Sequence, residues 1–256
     1  MCESYTPFAD LSDLMTMTEE LLRGLHEQFR SQGRASFNEL TDSIVRFDDD
    51  STSSDIFDAP FARLPFIPTI EEKTGHKLPP LDDPNASQLL LNLFSELNLP
   101  VPSKPTLPRL LDALCGIYIE PICTAPTFIT SHPSILSPLS KSHLCPQTNQ
   151  LISQRAELFI RGHEYANMYE EENSPFAQRE KFQQQLRFRS VDGEGDGRAD
   201  VDESYLEALE WGLPPTGGWG LGVDRLVMLF TGMKRIGDVL PFGTLRNVVG
   251  LAARQS

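Results

Sequence analysis

From Thr216 the chain reads Thr-Gly-Gly-Trp-Gly-Leu-Gly and runs without a break into Val223-Asp224-Arg225-Leu226. Alternating glycines leave one face of a strand without side chains, so a flat ring can lie directly against the backbone. The strand, 216–222, feeds a helix from about Val223 to Phe230, closed by Gly232, with Arg225 in its first turn. A guanidinium is always charged and grips phosphate oxygens bidentately. Together these make a platform for a purine nucleotide, although tight strand packing would also account for the glycines. The pattern is not a G-x-x-x-x-G-K-[ST] loop, and its G-x-G-x-x-G variant lacks a βαβ context.

Residues 155–172 alternate polar and apolar around Gly162, which predicts a β-hairpin. Glu157 and Glu164 flank the turn, as a pair that could share divalent cations and hand them to ATP phosphates, or simply as two exposed charges. Asn167, Tyr169 and Glu171 are spaced by two and fall on one face of a strand. A buried carboxylate is costly unless paired, so Glu171 calls for a cation, and an ammonium ligand would serve. Glu164 and Asn167 are three apart, so both can line one pocket only if a bulge or strong twist intervenes.

With 256 residues, the chain suits one large domain or two small ones. No run of about 18 apolar residues is present, so no membrane span is expected. The start, Met1-Cys2-Glu3-Ser4-Tyr5, lacks the basic flank and apolar core of a secretory signal, and its early acidity argues against an intact transit peptide. Cys2, Cys115, Cys123 and Cys145 form no C-x-x-C pair and read as reduced thiols of an intracellular protein. The net charge of −14 weighs against a strong hold on a large RNA by this chain alone, because that hold needs Lys and Arg on phosphates.

Leu11, Leu14, Met15, Leu21, Leu22, Leu25 and Phe29 predict an amphipathic helix over 11–30, stopped by Gly33, with this stripe as core packing. Residues 42–58 are acidic and Ser-rich, a loop flanking a short strand around Ile44–Phe47. Seven prolines between 79 and 108 frame a leucine-rich helix at about 87–97, which reads as a helical insertion on Pro-rich arms. A helix follows over 109–120, then an extended, turn-rich stretch from Pro126 to Ser140. Ser174-Pro175 starts a long helix, 192–197 is a loop, and 202–211 is a short helix closed by Gly212. This order predicts an α+β fold, an antiparallel β-sheet with flanking helices in which the long connections are helical.

Several of these stretches, in this order, resemble the class II aminoacyl-tRNA synthetases. Leu213-Pro214-Pro215-Thr216-Gly217-Gly218-Trp219-Gly220-Leu221-Gly222-Val223-Asp224-Arg225-Leu226 is similar to their motif 3, and its Pro-Pro-Thr lead is closer to lysyl-tRNA synthetases than to aspartyl or asparaginyl relatives. Glu157-Leu158-Phe159-Ile160 and Glu164-Tyr165-Ala166-Asn167-Met168-Tyr169-Glu170-Glu171 resemble the family's lysine-pocket hairpin. Pro126-Thr127-Phe128-Ile129, Leu136-Ser137-Pro138-Leu139-Ser140 and Arg109-Leu110-Leu111-Asp112 match further stretches. Cys2-Glu3-Ser4-Tyr5 and Ala9-Asp10-Leu11-Ser12-Asp13-Leu14-Met15 resemble the end of motif 2 and the helix after it. Only about 79–107 and the acidic loop fit poorly, so the resemblance implies that residues 1–256 are a partial class II catalytic domain with an insertion at about 79–108.

By that resemblance the chemistry is ATP-dependent activation of lysine to lysyl-adenylate, then transfer to tRNA(Lys). Arg225 would bind the ATP γ-phosphate, and Gly220, Gly222, Val223 and Asp224 would lie along the nucleotide. Glu157 and Glu164 would hold magnesium, with Glu164 and Tyr165 touching ATP. Glu171 and Tyr5 would receive the lysine ε-ammonium, while Glu3, Asn167 and Tyr169 complete the amino-acid pocket. The motif 2 arginine and motif 1, which builds the family's homodimer interface, have no counterpart in these residues. The isolated chain is therefore expected to be impaired as an enzyme, and its dimerisation is in doubt. Two other readings stand beside this one: an amino-acid ligase acting on a protein acceptor, and a non-catalytic, synthetase-derived binding protein. The ending Leu240-Pro241-Phe242-Gly243 departs from the commoner family ending and leans towards a mitochondrial rather than a cytoplasmic enzyme.

Overall fold

The computed structural model describes residues 1–31, 56–192 and 201–242. The strand expected at 44–47, the stop at Gly33 and most of the 192–197 loop lie outside the described residues. The fold is organised around the hairpin. Arg161 and Gly162 both take positive φ, 54° and 72°, the two-residue turn that matches strand twist. It joins strands β6, Arg155–Ile160, and β7, His163–Glu170. The Gly-rich strand β8, Thr216–Leu221, adds to β7, and β1, Cys2–Pro7, adds to β8. On the other side β3, Thr127–Thr130, pairs with β6, and β2, Ala62–Pro65, pairs with β3.

The resulting six-stranded sheet is antiparallel throughout except at the β2/β3 edge, which is parallel. Parallel neighbours need a long crossover. Here it is helical: α2, Phe66–Thr74, α3, Ala86–Glu96, and α4, Leu107–Tyr118. The leucine-rich helix among the prolines thus sits in that crossover and buries Leu90, Leu93 and Phe94 against α4 and its neighbours. Strand β2, only Ala-Arg-Leu-Pro, is too short to give a sequence signal. Strands β4, Ser142–Leu144, and β5, Leu151–Ser153, form a separate pair. Among the described residues, no helix is long and apolar enough to cross a membrane.

Helix α1, Leu11–Ser31, lies across one face of the sheet and buries Leu14, Met15 and Leu22. Leu21 and Phe29, expected on the stripe, are instead 37% and 36% exposed. Leu21 falls on the margin of the buried face, and Phe29 lies in the last turn, where its ring meets Phe230 at 5.2 Å. Thr18 and His26 take buried places on that face. The Trp219 indole N–H donates to Thr18 Oγ1 at 2.9 Å, and Thr18 donates in turn to the Leu14 carbonyl at 2.7 Å. Replacing Thr18 with valine keeps the shape but strands a buried indole donor. The expected loss is about 1–3 kcal/mol, read as a fall of several degrees in the thermal unfolding midpoint.

Helix α5, Pro175–Asp192, begins as its first residues dictate, with Ser174 Oγ accepting from the Ala177 N–H at 3.4 Å. Helix α6, Glu203–Glu210, is capped by Asp202, which accepts from the Tyr205 N–H at 3.0 Å. Helix α7, Val223–Thr231, ends at Gly232 with φ 70°.

Candidate functional site

The sheet face away from α1 is where the glycines matter. In register across the strands, Tyr5, Gly218, Tyr169 and Arg155 form one row; Glu3, Gly220, Asn167 and Glu157 form the next. Side chains in such rows share a face. The two glycines make a trough between Glu3 and Tyr5 on one strand and Asn167 and Tyr169 on the other. Gly217 points the other way. A Cβ there would come within 2.9 Å of Leu14 Cδ1, so this glycine serves the seating of α1.

The pairing of β6 with β7 shifts between Leu158/Ala166 and Phe159/Glu164, leaving Tyr165 as the extra residue of a bulge. That bulge is what allows Glu164 and Asn167, three apart, to line the same cavity. It also anchors the next element: the Gly222 N–H donates to the Tyr165 carbonyl at 2.9 Å, and Arg225 Nη1 donates to the Glu164 carbonyl at 2.6 Å. Arg225 Nη1 lies 3.6 Å from Glu164 Oε2, with both side chains partly in solvent.

One cavity of about 440 Å³ collects Glu3, Tyr5, Glu164, Tyr165, Asn167, Tyr169, Glu171, Gly220, Gly222, Val223, Asp224 and Arg225. Every site residue expected from the sequence lines it except Glu157. Met1, Ala166, Gly218, Trp219 and Ile236 also line it, and of these only Gly218 had a stated reason to face a ligand.

At one end of the cavity is Glu171, 4% exposed, with no hydrogen-bond partner for Oε1 among the described residues. Burial pushes its carboxyl up to about 7. Its seat exists because residue 218 has no side chain: a Cβ there would lie 1.9 Å from Oε1. Burial, Glu171 and Tyr5 also push the Tyr169 phenol up to about 12. At the other end is Glu164, raised by burial and by Glu157 against the opposing pull of Arg225 and Arg155.

Glu157 lies on the same face one strand further on, outside the cavity's lining. Burial acts to raise its carboxyl, but the hydrogen bond from His132 and the charge of Arg155 outweigh that and hold it below its ordinary value. His132 Nε2 is 3.1 Å from Glu157 Oε2, and Arg155 Nη2 bonds Oε1. Arg155 is fixed further by the Leu136 carbonyl at 3.0 Å and Ser137 Oγ at 3.2 Å. Its Nε donates to Asn167 Oδ1 at 3.0 Å, which turns the Asn167 amide so that its NH₂ is left for the cavity. Neither His132 nor Arg155 was legible as a site residue; both act through a neighbour. Among the described residues, no three of His, Cys, Asp and Glu group as a metal cage.

The family model for tRNA synthetases class II (D, K and N) matches residues 1–246. The chain is 36% identical over 250 residues to the lysine–tRNA ligase cla4 of Cladosporium cladosporioides, covering 96% of this chain and 40% of that protein. It is 37% identical over 251 residues to the mitochondrial lysine–tRNA ligase of Schizosaccharomyces pombe, covering 96% and 44%. It is 39% identical over 253 residues to a probable cytoplasmic lysine–tRNA ligase of Encephalitozoon cuniculi, covering 96% and 47%. The chain therefore spans under half the length of these curated relatives. With the motifs in order, the mostly antiparallel sheet they build and a family match over nearly its whole length, the chain belongs to the class II tRNA synthetases of the D, K and N group.

Proposed function

We propose that this cavity is the amino-acid activation site of a lysine–tRNA ligase. Lysine's carboxylate attacks the α-phosphorus of ATP, giving lysyl-adenylate and pyrophosphate, and the lysyl group then passes to the terminal ribose of tRNA(Lys). The observation that carries this reading is the buried Glu171, its Oε1 unpaired among the described residues, at one end of a glycine-floored cavity whose other end holds Arg225. A site for a neutral or acidic amino acid has no use for a buried carboxylate without a partner.

In this reading the ε-ammonium meets Glu171 and Tyr5, with Tyr169 along the aliphatic stem and Asn167 and Glu3 on the polar groups. The adenosine lies on the Gly220 side of the trough, with phosphates towards Arg225 at the start of α7, where free N–H groups favour anions. Magnesium fits as a companion of those phosphates: it is commonly held by one or two carboxylates plus substrate oxygens, and Glu164 is the carboxylate that faces them. When bound it would neutralise charge on the phosphates. Glu157 is engaged by His132 and Arg155, and we assign it first to holding Arg155. Rate enhancement comes from positioning and charge neutralisation. We further propose that the chain is one partial catalytic domain, with 79–108 inserted into its crossover. Lysine-dependent exchange of pyrophosphate into ATP tests the activation step. No exchange and no calorimetric heat with lysine would overturn it.

The pH dependence follows from Glu171. Below about 7 its carboxyl is protonated and offers no charge, while the lysine ammonium stays charged to about 10. Lysine affinity should rise about tenfold per pH unit from 5.5 towards 7 and level off above, measured by calorimetry. A flat profile would remove the raised carboxyl from the binding equilibrium. The unliganded fold shows the opposite trend. A carboxyl raised on folding stabilises fully only below about 4.5, and that contribution is lost as pH rises to about 7.

Arg155→Lys keeps the charge beside Glu157 but cannot donate in the fixed fork that holds Asn167. KM for lysine should rise about tenfold with kcat changed much less, and the KM for ATP should stay constant.

A further inference from the structure

A second cavity adjoins the first. It measures about 550 Å³ and shares Tyr5, Tyr169 and Glu171 with the site above; Tyr205, Leu209 and Trp211 are among the residues on its other walls. Glu171 therefore stands between two chambers, not at the blind end of one. A closed end would limit the ligand to a bare ammonium; here the space continues past the carboxylate.

The chemistry of the second chamber is one-sided. Three phenol rings and one indole line it together with a carboxylate that is 4% exposed and has an oxygen unpartnered among the described residues. None of its lining residues is cationic. Tyr205 is raised by burial, then by Glu171 and Tyr5, so the phenols and the carboxylate sense one another across it. Tyr205 is held edge-on to Phe182 at 5.7 Å, which fixes its ring, and Trp211 stands at the rim, 93% exposed. Aromatic faces beside an anion are the setting in which alkylated ammonium ions bind.

We propose that this aromatic chamber admits an ε-ammonium carrying methyl groups, so that the site's substrate class is lysine together with its Nε-methylated forms. The inference rests on the lysine reading of the first cavity. A trimethylated nitrogen gives up its hydrogen bonds to Glu171 and Tyr5 but keeps its full charge. It gains contact with the faces of Tyr169 and Tyr205, which offsets much of what is lost. A neutral acyl group of similar size leaves Glu171 buried with nothing to pair it, and is excluded by charge rather than by space.

Calorimetric titration of the full chain at pH 8 with lysine, Nε-trimethyl-lysine and Nε-acetyl-lysine tests this, in parallel with Tyr205→Leu and Trp211→Leu variants. Trimethyl-lysine should bind within tenfold of lysine, and acetyl-lysine more than a hundredfold more weakly. Tyr205→Leu should weaken trimethyl-lysine at least fivefold and lysine less than twofold, with Trp211→Leu acting in the same direction. Trimethyl-lysine weaker than lysine by more than tenfold overturns the inference and leaves the lysine reading intact. Trimethyl-lysine binding that ignores both substitutions also overturns it. Absence of binding by lysine sinks the lysine reading and this extension with it.

Discussion

Gly218→Ala should abolish lysine binding, lowering affinity by more than a hundredfold, while affinity for MgATP changes less than about threefold. The added Cβ would occupy the Glu171 carboxylate's position, 1.9 Å from Oε1. The Glu171 backbone is held, its N–H bonded to the Thr216 carbonyl at 2.8 Å, so the adjustment falls on its side chain. The carboxylate must swing away, and the ammonium loses its counter-charge. The same substitution at Gly220 makes an instructive control. A Cβ there meets Met1 Sδ, the Asn167 carbonyl and Glu3 Cγ at 3.8–3.9 Å, which is ordinary contact. Gly220→Ala fills the trough floor without displacing Glu171, so its effect should fall on the nucleotide. Calorimetry with lysine and with MgATP separates the two. Equal loss of both ligands in Gly218→Ala would indicate a collapsed sheet rather than a displaced carboxylate.

Arg225→Ala should produce the opposite pattern. Losing one preorganised charge partner of a reacting phosphate costs about a hundredfold to a thousandfold in rate, so lysine-dependent exchange should fall by that much. Lysine affinity should remain within about twofold, because Arg225 and Glu171 sit at opposite ends of the cavity. The side chain is half exposed, so the fold should survive its removal. Arg225→Lys restores the charge without the planar fork and should recover only part of the rate. A loss of lysine affinity as large as the loss of rate would place the arginine in the amino-acid pocket and contradict the assignment of the two ends.

Much of the fold was legible because its elements announce themselves locally. Ser174-Pro175 fixes the start of α5, Gly212 and Gly232 take the positive φ of helix ends at 99° and 70°, and Arg161-Gly162 closes the hairpin. Strand β2 was not, since four residues are too few to establish a period, and their parallel pairing depends on a crossover of some sixty residues. The exposed Leu21 and Phe29 show a related limit: a helical stripe reports spacing, whereas burial depends on where the helix meets the sheet.

The candidate site divides in a similar way. Chemical types and their periods named Glu164, Asn167, Tyr169, Glu171 and Arg225, because a carboxylate, an amide and a guanidinium declare what they can bind wherever they lie. The bulge at Tyr165, Arg155 as the keeper of Asn167, and the place of Glu157 beside the cavity depend on register and side-chain contacts within the folded hairpin, which spacing alone does not give. The glycine-floored strand, the acidic hairpin and the family were readable from residue order alone, since these rest on local geometry and residue identity. Which glycine makes room for a carboxylate and which for a helix emerges only in the folded sheet. Gly217 and Gly218 are chemically identical neighbours, and alternation turns them to opposite faces, one beneath Leu14 and the other against Glu171.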